Sequence, residues 1–259
     1  MRFSCQVHSR RGIVIPPDSR RYLLSLVKEA IKRSGPDGER FYEVWYASNR
    51  QKPFTFSAYF PLKKRGRDMV LDGDFFRFFF STSDYEFLMR VYNGFLALKG
   101  DFVLFGSPFS IERCRLLPER SFSTHRATFK TLSPFLVRDP EDGDFYLYPE
   151  GAPLHTRDEG KTGDHWKVWK KASFDELRSA IEMSLSSLTN QEVKILSLQT
   201  EVIPLVHGSG NPDHPYITTY PGLKGEITLE APPEVLCYLY DVGIGARRSE
   251  GFGMLEVVE

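Results

Sequence analysis

Four glycines near the C-terminus, Gly243, Gly245, Gly251 and Gly253, bracket a five-residue insert that holds Arg247 and Arg248. Glycine permits positive φ and close backbone approach. A loop of this composition can turn several backbone N–H groups toward an anion, and two arginines beside it supply charge and planar donors. Phosphate binding is the chemistry these residue types suit. The same residues also fit a glycine-rich turn with solvated arginines.

The flanking elements narrow the choice. Pro232 to Val242 reads as a short helix, with proline at its start and Gly243 as its C-cap. Met254 to Val258 reads as a terminal strand. The order is helix, glycine loop, strand. A Rossmann fingerprint follows a strand and opens a helix, and a Walker loop needs Gly-x-x-x-x-Gly-Lys-Ser/Thr, a string the sequence lacks.

From the start, Arg2 to Ser9 is a first strand. Asp18 is a candidate N-cap for a helix to about Ser34, with Leu23, Leu26, Val27, Ala30 and Ile31 on one face. Phe41 to Ala47 and Lys52 to Phe60 read as two aromatic-rich strands, and Phe75 to Phe80 as another. Lys63 to Arg67 is a basic run that suits a solvated loop. Ser83 to Glu86 has the pattern of a capping box ahead of a second helix, and Phe102–Phe105 and Ile111–Leu116 close this half. The order is strand, helix, strands, helix, strand, which is ferredoxin-like.

The second half repeats that order. Its opening strand falls within Thr124–Val137. Arg138 to Lys171 is polar and reads as a long loop or irregular hairpin. Ser173 to Glu176 is another capping box, ahead of a helix with Leu177, Ile181, Leu185 and Leu188 on one face. Two strands, Val193–Leu205 and Tyr216–Leu229, then precede the short helix, the glycine loop and the last strand. The expected fold class is α+β, two tandem ferredoxin-like (RRM-like) βαββαβ domains at residues 1–118 and 119–259, the latter carrying the glycine loop.

Composition agrees with an ordinary globular chain of 259 residues, 41% of them apolar. Net charge is zero, yet residues 1–67 carry 15 Lys/Arg against 5 Asp/Glu, and the remainder 19 against 29. A chain this polarised can present a basic face despite its neutral total. The three cysteines, Cys5, Cys114 and Cys237, are scattered and form no Cys-x-x-Cys pair. Their spacing argues against a disulfide framework or zinc site and suits a reducing compartment. No apolar run reaches the roughly 18 residues of a spanning helix. A cytoplasmic protein with no membrane association is expected.

Three stretches carry a resemblance to a known family. Gly-Ile-Gly-x-x-x-x-x-Gly-Phe-Gly, from Gly243 to Gly253, resembles the C-terminal signature of the CRISPR-associated endoribonucleases that process precursor repeat RNA, in the RAMP superfamily. Lys52-Pro-Phe-Thr-Phe-Ser57 resembles their N-terminal strand motif, and Phe129-Lys-Thr-Leu-Ser-Pro134 the motif that opens their second half. The resemblance implies a metal-independent endoribonuclease without cofactors. The RNA 2′-OH attacks the adjacent phosphate, leaving a 2′,3′-cyclic phosphate and a 5′-OH, with a base, an acid and a cation assisting. It also implies CRISPR repeat RNA as ligand. Other effector-complex subunits and a homodimer are further candidate partners.

Carried over residue by residue, the resemblance implies Lys52 at the family lysine, where it would stabilise the phosphorane. The family histidine's place falls on Tyr46, and the family tyrosine's on Lys28. Two lysines beside Tyr46 are expected to lower its pKa from about 10 toward a useful range. His8 is a further candidate base: crossover-connected strands run parallel, so the C-terminal ends of the first strand (His8) and of a second strand at Tyr46 would share an edge. His155, His165, His207 and His214 read as loop residues without metal-ligand spacing. RNA-binding candidates are Gly243, Gly245, Gly251, Gly253, Arg247 and Arg248, with Arg20 and Arg21 on the first helix and Tyr46 or Tyr59 as stacking surfaces. The missing histidine leaves open an alternative, a catalytically weak or inactive repeat-RNA-binding subunit of an effector complex. A protein-interaction module without an RNA role is the remaining class.

Overall fold

The computed structural model describes residues 1–47, 50–98, 102–152, 169–209 and 216–258. The chain divides into two compact units, Met1–Glu119 with Ser249–Gly251, and Arg120–Arg248 with Phe252–Glu259. Both are α+β with antiparallel core sheets, and both have the ferredoxin-like strand order.

The first unit runs β1 (Arg2–Ser9), α1 (Ser19–Lys32), α2 (Gly38–Tyr46), β2 (Phe54–Tyr59), β3 (Leu62–Arg65), β4 (Asp68–Leu71), β5 (Phe75–Thr82), α3 (Tyr85–Ala97), β6 (Phe102–Leu104) and β7 (Ser107–Leu117). Its main sheet has the order β2-β5-β1-β7-β6, and β3 and β4 form a separate hairpin, so the basic run expected as a loop is an exposed strand through Arg65. Alternation places Phe3, Cys5, Val7, Phe54, Phe56, Phe76, Phe78 and Phe80 in one core with α1 and α3. All five apolar positions expected on α1 are buried. Leu23, Leu26, Val27 and Ile31 together contribute roughly 6–12 kcal/mol of apolar burial, an upper estimate because unfolded chains also bury surface. The two helices cross closely at Gly94, where an added Cβ would stand 1.8 Å from the Ala30 carbonyl oxygen.

Three local expectations are corrected here. Phe41–Ala47 is not a strand; residues to Tyr46 form α2. Aromatic residues favour strands, but Phe41, Tyr42, Trp45 and Tyr46 recur at helical spacing, and packing follows that period. Phe41 and Trp45 set their rings on Phe87 of α3, at centroid distances of 5.1 and 4.7 Å. The N-cap of α3 is Asp84 rather than Ser83; its carboxylate accepts from the Phe87 N–H at 2.9 Å. Cys5 and Cys114 form a disulfide. Scattered spacing argued against one, but the antiparallel register of β1 and β7 sets these two residues opposite each other.

The second unit runs β8 (Arg126–Thr131), β9 (Val137–Arg138), β10 (Tyr146–Pro149), β11 (Trp169–Ala172), α4 (Phe174–Thr189), β12 (Lys194–Ser209), β13 (Tyr216–Glu230), α5 (Pro233–Val242) and β14 (Leu255–Val257). The four-stranded sheet has the order β12-β13-β8-β14. The described part of the polar stretch after Arg138 contributes strands to a small sheet, β11-β10-β9, in which β10 and β11 run parallel. Ser173 and Glu176 close the expected capping box on α4. Leu177, Ala180, Ile181 and Leu185 of that helix pack with Phe129, Ile227, Leu229, Leu236, Leu239 and Leu255 in a second core. His155, His165 and His214 lie outside the described residues, and His207 falls within β12.

Candidate functional site

In the first unit, α1, α2 and the segment before β2 bring Lys28, Tyr46 and Lys52 together. The Lys28 ammonium lies 5.1 Å from the centre of the Tyr46 ring, and the Lys52 ammonium 4.5 Å from it. Local sequence explains the arrangement. Gly38 starts α2 against the last turn of α1, where an added Cβ would stand 2.3 Å from the Lys32 carbonyl oxygen. With Phe41 and Trp45 fixed on Phe87, the other side of α2 turns Tyr42 and Tyr46 toward the α1 lysines. Lys32 then stands over Tyr42 at 4.5 Å, and the two tyrosine rings stack at 4.6 Å. Lys52 enters from just ahead of β2.

The electrostatics reverse one expectation. Burial raises the Tyr46 pKa, and Tyr42 and the carboxylate of Glu250 raise it further. The two lysines were expected to lower it, but they lie over the ring, while the phenol oxygen is buried with no hydrogen-bond partner among the described residues. Tyr46 is therefore held in its neutral, donating form. Lys52 moves the other way. Burial is the main cause that lowers its pKa, the Lys28 charge adds to it, and Glu250 opposes both. Its ammonium bonds the Arg50 carbonyl oxygen at 3.4 Å.

Glu250 was not anticipated from the sequence. It lies in the short 3-10 turn Arg248–Glu250, and its own segment, Ser249–Gly251, belongs with the first unit. Gly251 shows how closely that segment packs: at φ +89°, an added Cβ would meet the Phe56 ring of β2 at 2.5 Å. One acidic residue inside an arginine-bearing insert gives no sequence signal of its own.

His8 is not brought to this cluster. A shared strand edge needs Tyr46 at the end of a strand, and Tyr46 ends a helix instead. Register shows the separation. Phe54 pairs with Thr82, beside the Ser81 that faces Arg2, whereas His8 faces Phe75. Six residues along β1 put His8 roughly 20 Å from the Arg2 end. There it lies 3.3 Å from Glu112 and against the Phe75 ring. Arg20 and Arg21 occupy the first turn of α1, about 10 Å along the helix from Lys28. Arg21 pairs with Asp18 at 3.0 Å, and burial lowers the Arg20 pKa to about 10. Tyr59 is 64% exposed.

The glycine loop lies largely in the second unit. Gly243 caps α5 at φ +78°, its N–H bonding the Leu239 carbonyl. Ile244 N–H bonds Gly253 O at 2.9 Å, Ala246 N–H bonds Leu136 O at 2.8 Å, and Gly253 N–H bonds Pro134 O at 2.9 Å. These amides are committed within the unit, so they do not form the open anion cradle expected of them. The glycines instead permit contact between backbones: a Cβ at Gly253 would stand 1.8 Å from Ile244 O, and one at Gly245 2.5 Å from Leu136 O. The insert carries the charge. Arg247 bonds the Tyr220 hydroxyl and lies over that ring. Tyr220 packs edge-on to Tyr146, whose hydroxyl accepts from Arg138 at 3.2 Å. Arg248 is 5% exposed, and its Nε has no hydrogen-bond partner among the described residues. Burial lowers its pKa to about 10.

Residues 117–257 match the family described as CRISPR associated protein Cas6, C-terminal. The chain belongs to the Cas6 family. Solved structures similar over the whole chain extend the fold likeness to the first unit. One described as CRISPR associated protein Cas6 has a TM-score of 0.67 at 18% identity, covering 100% of this chain and 99% of its own. A Cas6-related protein from Pyrococcus furiosus reaches 0.70 at 18%, covering 100% and 98%. A RAMP protein binding different RNA substrates reaches 0.70 at 17%, covering 100% of both chains. No curated protein matches the sequence. Among the described residues, no helix is long and apolar enough to cross a membrane, and no group of three or more His, Cys, Asp or Glu side chains could hold a metal ion.

Proposed function

We propose that this Cas6-family chain is a metal-independent endoribonuclease that cuts CRISPR precursor repeat RNA, leaving a 2′,3′-cyclic phosphate and a 5′-OH. The observation that carries the reading is the convergence of Lys28 and Lys52 on Tyr46. The reaction needs a proton taken from the 2′-OH, negative charge stabilised on the phosphorane, and a proton given to the departing 5′ oxygen. In place of the phosphorane-stabilising role that the resemblance implies for it, Lys52 serves as the base: its pKa is lowered by burial and by Lys28, and its neutral fraction accepts the 2′ proton. As the 2′ oxygen bonds phosphorus and the P–O5′ bond breaks, the Lys28 ammonium stabilises the phosphorane. Tyr46, kept protonated, donates to the 5′ oxygen, an alkoxide more basic than a phenolate; its hydroxyl is buried, so this donation requires the RNA strand to displace what covers it. Arg247 and Arg248 of the glycine loop hold phosphates. What supports that role for Arg248 is its Nε, which has no hydrogen-bond partner among the described residues; the guanidinium is buried, so a phosphate must reach it through the loop.

The histidine-free site also favours a second reading, in which the chain binds repeat RNA and delivers it to an effector complex without cutting. Incubation of cognate repeat RNA with EDTA separates the two. The first reading expects one cut with a cyclic phosphate end, lost in Lys52→Ala and strongly slowed in Tyr46→Phe. Salt-sensitive binding without any cut would establish the carrier instead. Absence of binding would remove both.

A further inference from the structure

The Lys28–Tyr46 pair has a second copy one helical turn away. Lys32 follows Lys28 by four residues on α1, and Tyr42 precedes Tyr46 by four on α2, so two antiparallel helices repeat the same pairing. The Lys32 ammonium lies 4.5 Å from the centre of the Tyr42 ring, against 5.1 Å for Lys28 and Tyr46. The two rings stack with only 19° between their planes, which makes the four side chains one block. Four residues advance a helix by about 6 Å. That is the order of the step between consecutive phosphates in an extended RNA strand.

The second pair is accessible and takes no part in the proton transfers proposed above. The Lys32 side chain is 33% exposed. Its carboxylate neighbour, Glu39, stands at 3.7 Å and is 66% exposed, an arrangement in which water competes strongly with the ion pair. The ring beneath Lys32 limits where its ammonium can go, so a cation is pre-positioned there and only weakly paired with Glu39.

We infer that Lys32 and Tyr42 form a binding subsite for the phosphodiester next to the scissile one. Lys32 supplies the charge and the Tyr42 hydroxyl a hydrogen bond. The pair thereby sets which linkage of the strand rests against Lys28, Tyr46 and Lys52. The inference rests on the reading that those three residues face the scissile phosphate of repeat RNA.

The test uses the full chain and a repeat RNA made uncleavable by a 2′-deoxy substitution at the attacking nucleotide. Lys32→Ala is expected to weaken binding about tenfold at low salt and to reduce the salt slope by about one. Lys32→Arg should restore most of the affinity. A neutral methylphosphonate placed at one of the two neighbouring linkages should weaken wild type by a similar factor and leave Lys32→Ala nearly unaffected. On cleavable RNA, Lys32→Ala should raise KM and change kcat by less than about threefold. Unchanged affinity in Lys32→Ala, or fully additive losses with the methylphosphonate at both neighbours, would overturn the subsite. A chain that binds but does not cut removes the nuclease reading while the binding arm still decides the subsite. Failure of wild type to bind repeat RNA overturns both.

Discussion

Substitution of Gly94 by alanine tests whether the crossing of α1 and α3 positions the candidate site. The new methyl group would stand 1.8 Å from the Ala30 carbonyl oxygen, where ordinary contact begins near 3.4 Å. The helices must part by roughly 1.6 Å, because the obstacle is backbone and cannot rotate away. Overpacking of this kind costs about 1–3 kcal/mol, and backbone obstruction favours the upper end. For a unit of this size that lowers Tm by roughly 10 °C. The functional consequence follows from what each helix carries. Lys28 is two residues before Ala30 on α1, whereas α2 is anchored through Phe41 and Trp45 to Phe87 of α3. Parting α1 from α3 therefore moves the lysines relative to Tyr42 and Tyr46. A misplacement of this size can cost up to about 100-fold in rate, and lysine flexibility reduces that toward tenfold. The assay pairs thermal denaturation with single-turnover cleavage of repeat RNA, each variant held well below its own Tm. Ala30→Gly in the Gly94→Ala background should rescue neither property, since it leaves the blocking carbonyl in place. An unchanged Tm would refute the close crossing. A lowered Tm with wild-type cleavage would refute the positioning argument.

Three other outcomes are expected. Tyr46→Phe removes a buried hydroxyl that lacks a partner among the described residues, so thermal denaturation should show the variant about 1 kcal/mol more stable even as cleavage slows; a destabilised variant would mean that the hydroxyl is bonded. Glu250→Gln removes the carboxylate that opposes the lowering of the Lys52 pKa. The neutral amine then forms at lower pH, so the rising limb of the cleavage pH profile should move to lower pH; movement the other way would exclude Lys52 as the base. Arg248→Met replaces a buried cation with an apolar side chain of similar length. The RNA-free protein should gain stability by about 1 kcal/mol or more, and titration with repeat RNA should show weaker binding. A variant that loses stability and binds normally would make Arg248 purely structural.

Much of the fold was legible from apolar period, joined by capping chemistry at α4 but not at α1, where Asp18 makes no side-chain cap bond. The α1 stripe and the α4 capping box are local patterns, and both formed as read. The α2 segment was misread because an aromatic-rich run satisfies strand propensity, and only packing on Phe87 selects the helical period. That single error carried His8 into the site. With Tyr46 on a strand, a shared edge follows from topology; with Tyr46 on a helix, topology gives the two residues no common edge. The Cys5–Cys114 disulfide was invisible for a related reason, since cross-strand register is a property of the assembled sheet. Lys28, Tyr46 and Lys52 were named by resemblance alone. No spacing rule ties residues on two helices and the start of a strand.

The glycine loop shows how a motif can be located correctly while part of its physical role goes unseen. Four glycines beside two arginines suggested amides turned toward an anion. Four amides across the loop, from Gly243 to Gly253, instead bond carbonyls of Leu239, Leu136, Pro134 and Gly253, and three of the four glycines sit where a Cβ would strike a carbonyl oxygen or a phenylalanine ring. Glycine is needed there for closeness between chains. What the closeness holds in place is the insert, residues 246–250. Its charges are Arg247 on Tyr220, Arg248 with no partner at Nε among the described residues, and Glu250, which raises the pKa of both Tyr46 and Lys52; under the proposed function they are the residues through which the loop would affect chemistry. Alanine at Gly253 would place a Cβ 1.8 Å from the Ile244 oxygen and should disrupt folding. Glu250→Gln and Arg248→Met leave those backbone contacts intact, so the loop's chemistry is to be tested at its charged residues rather than at its glycines.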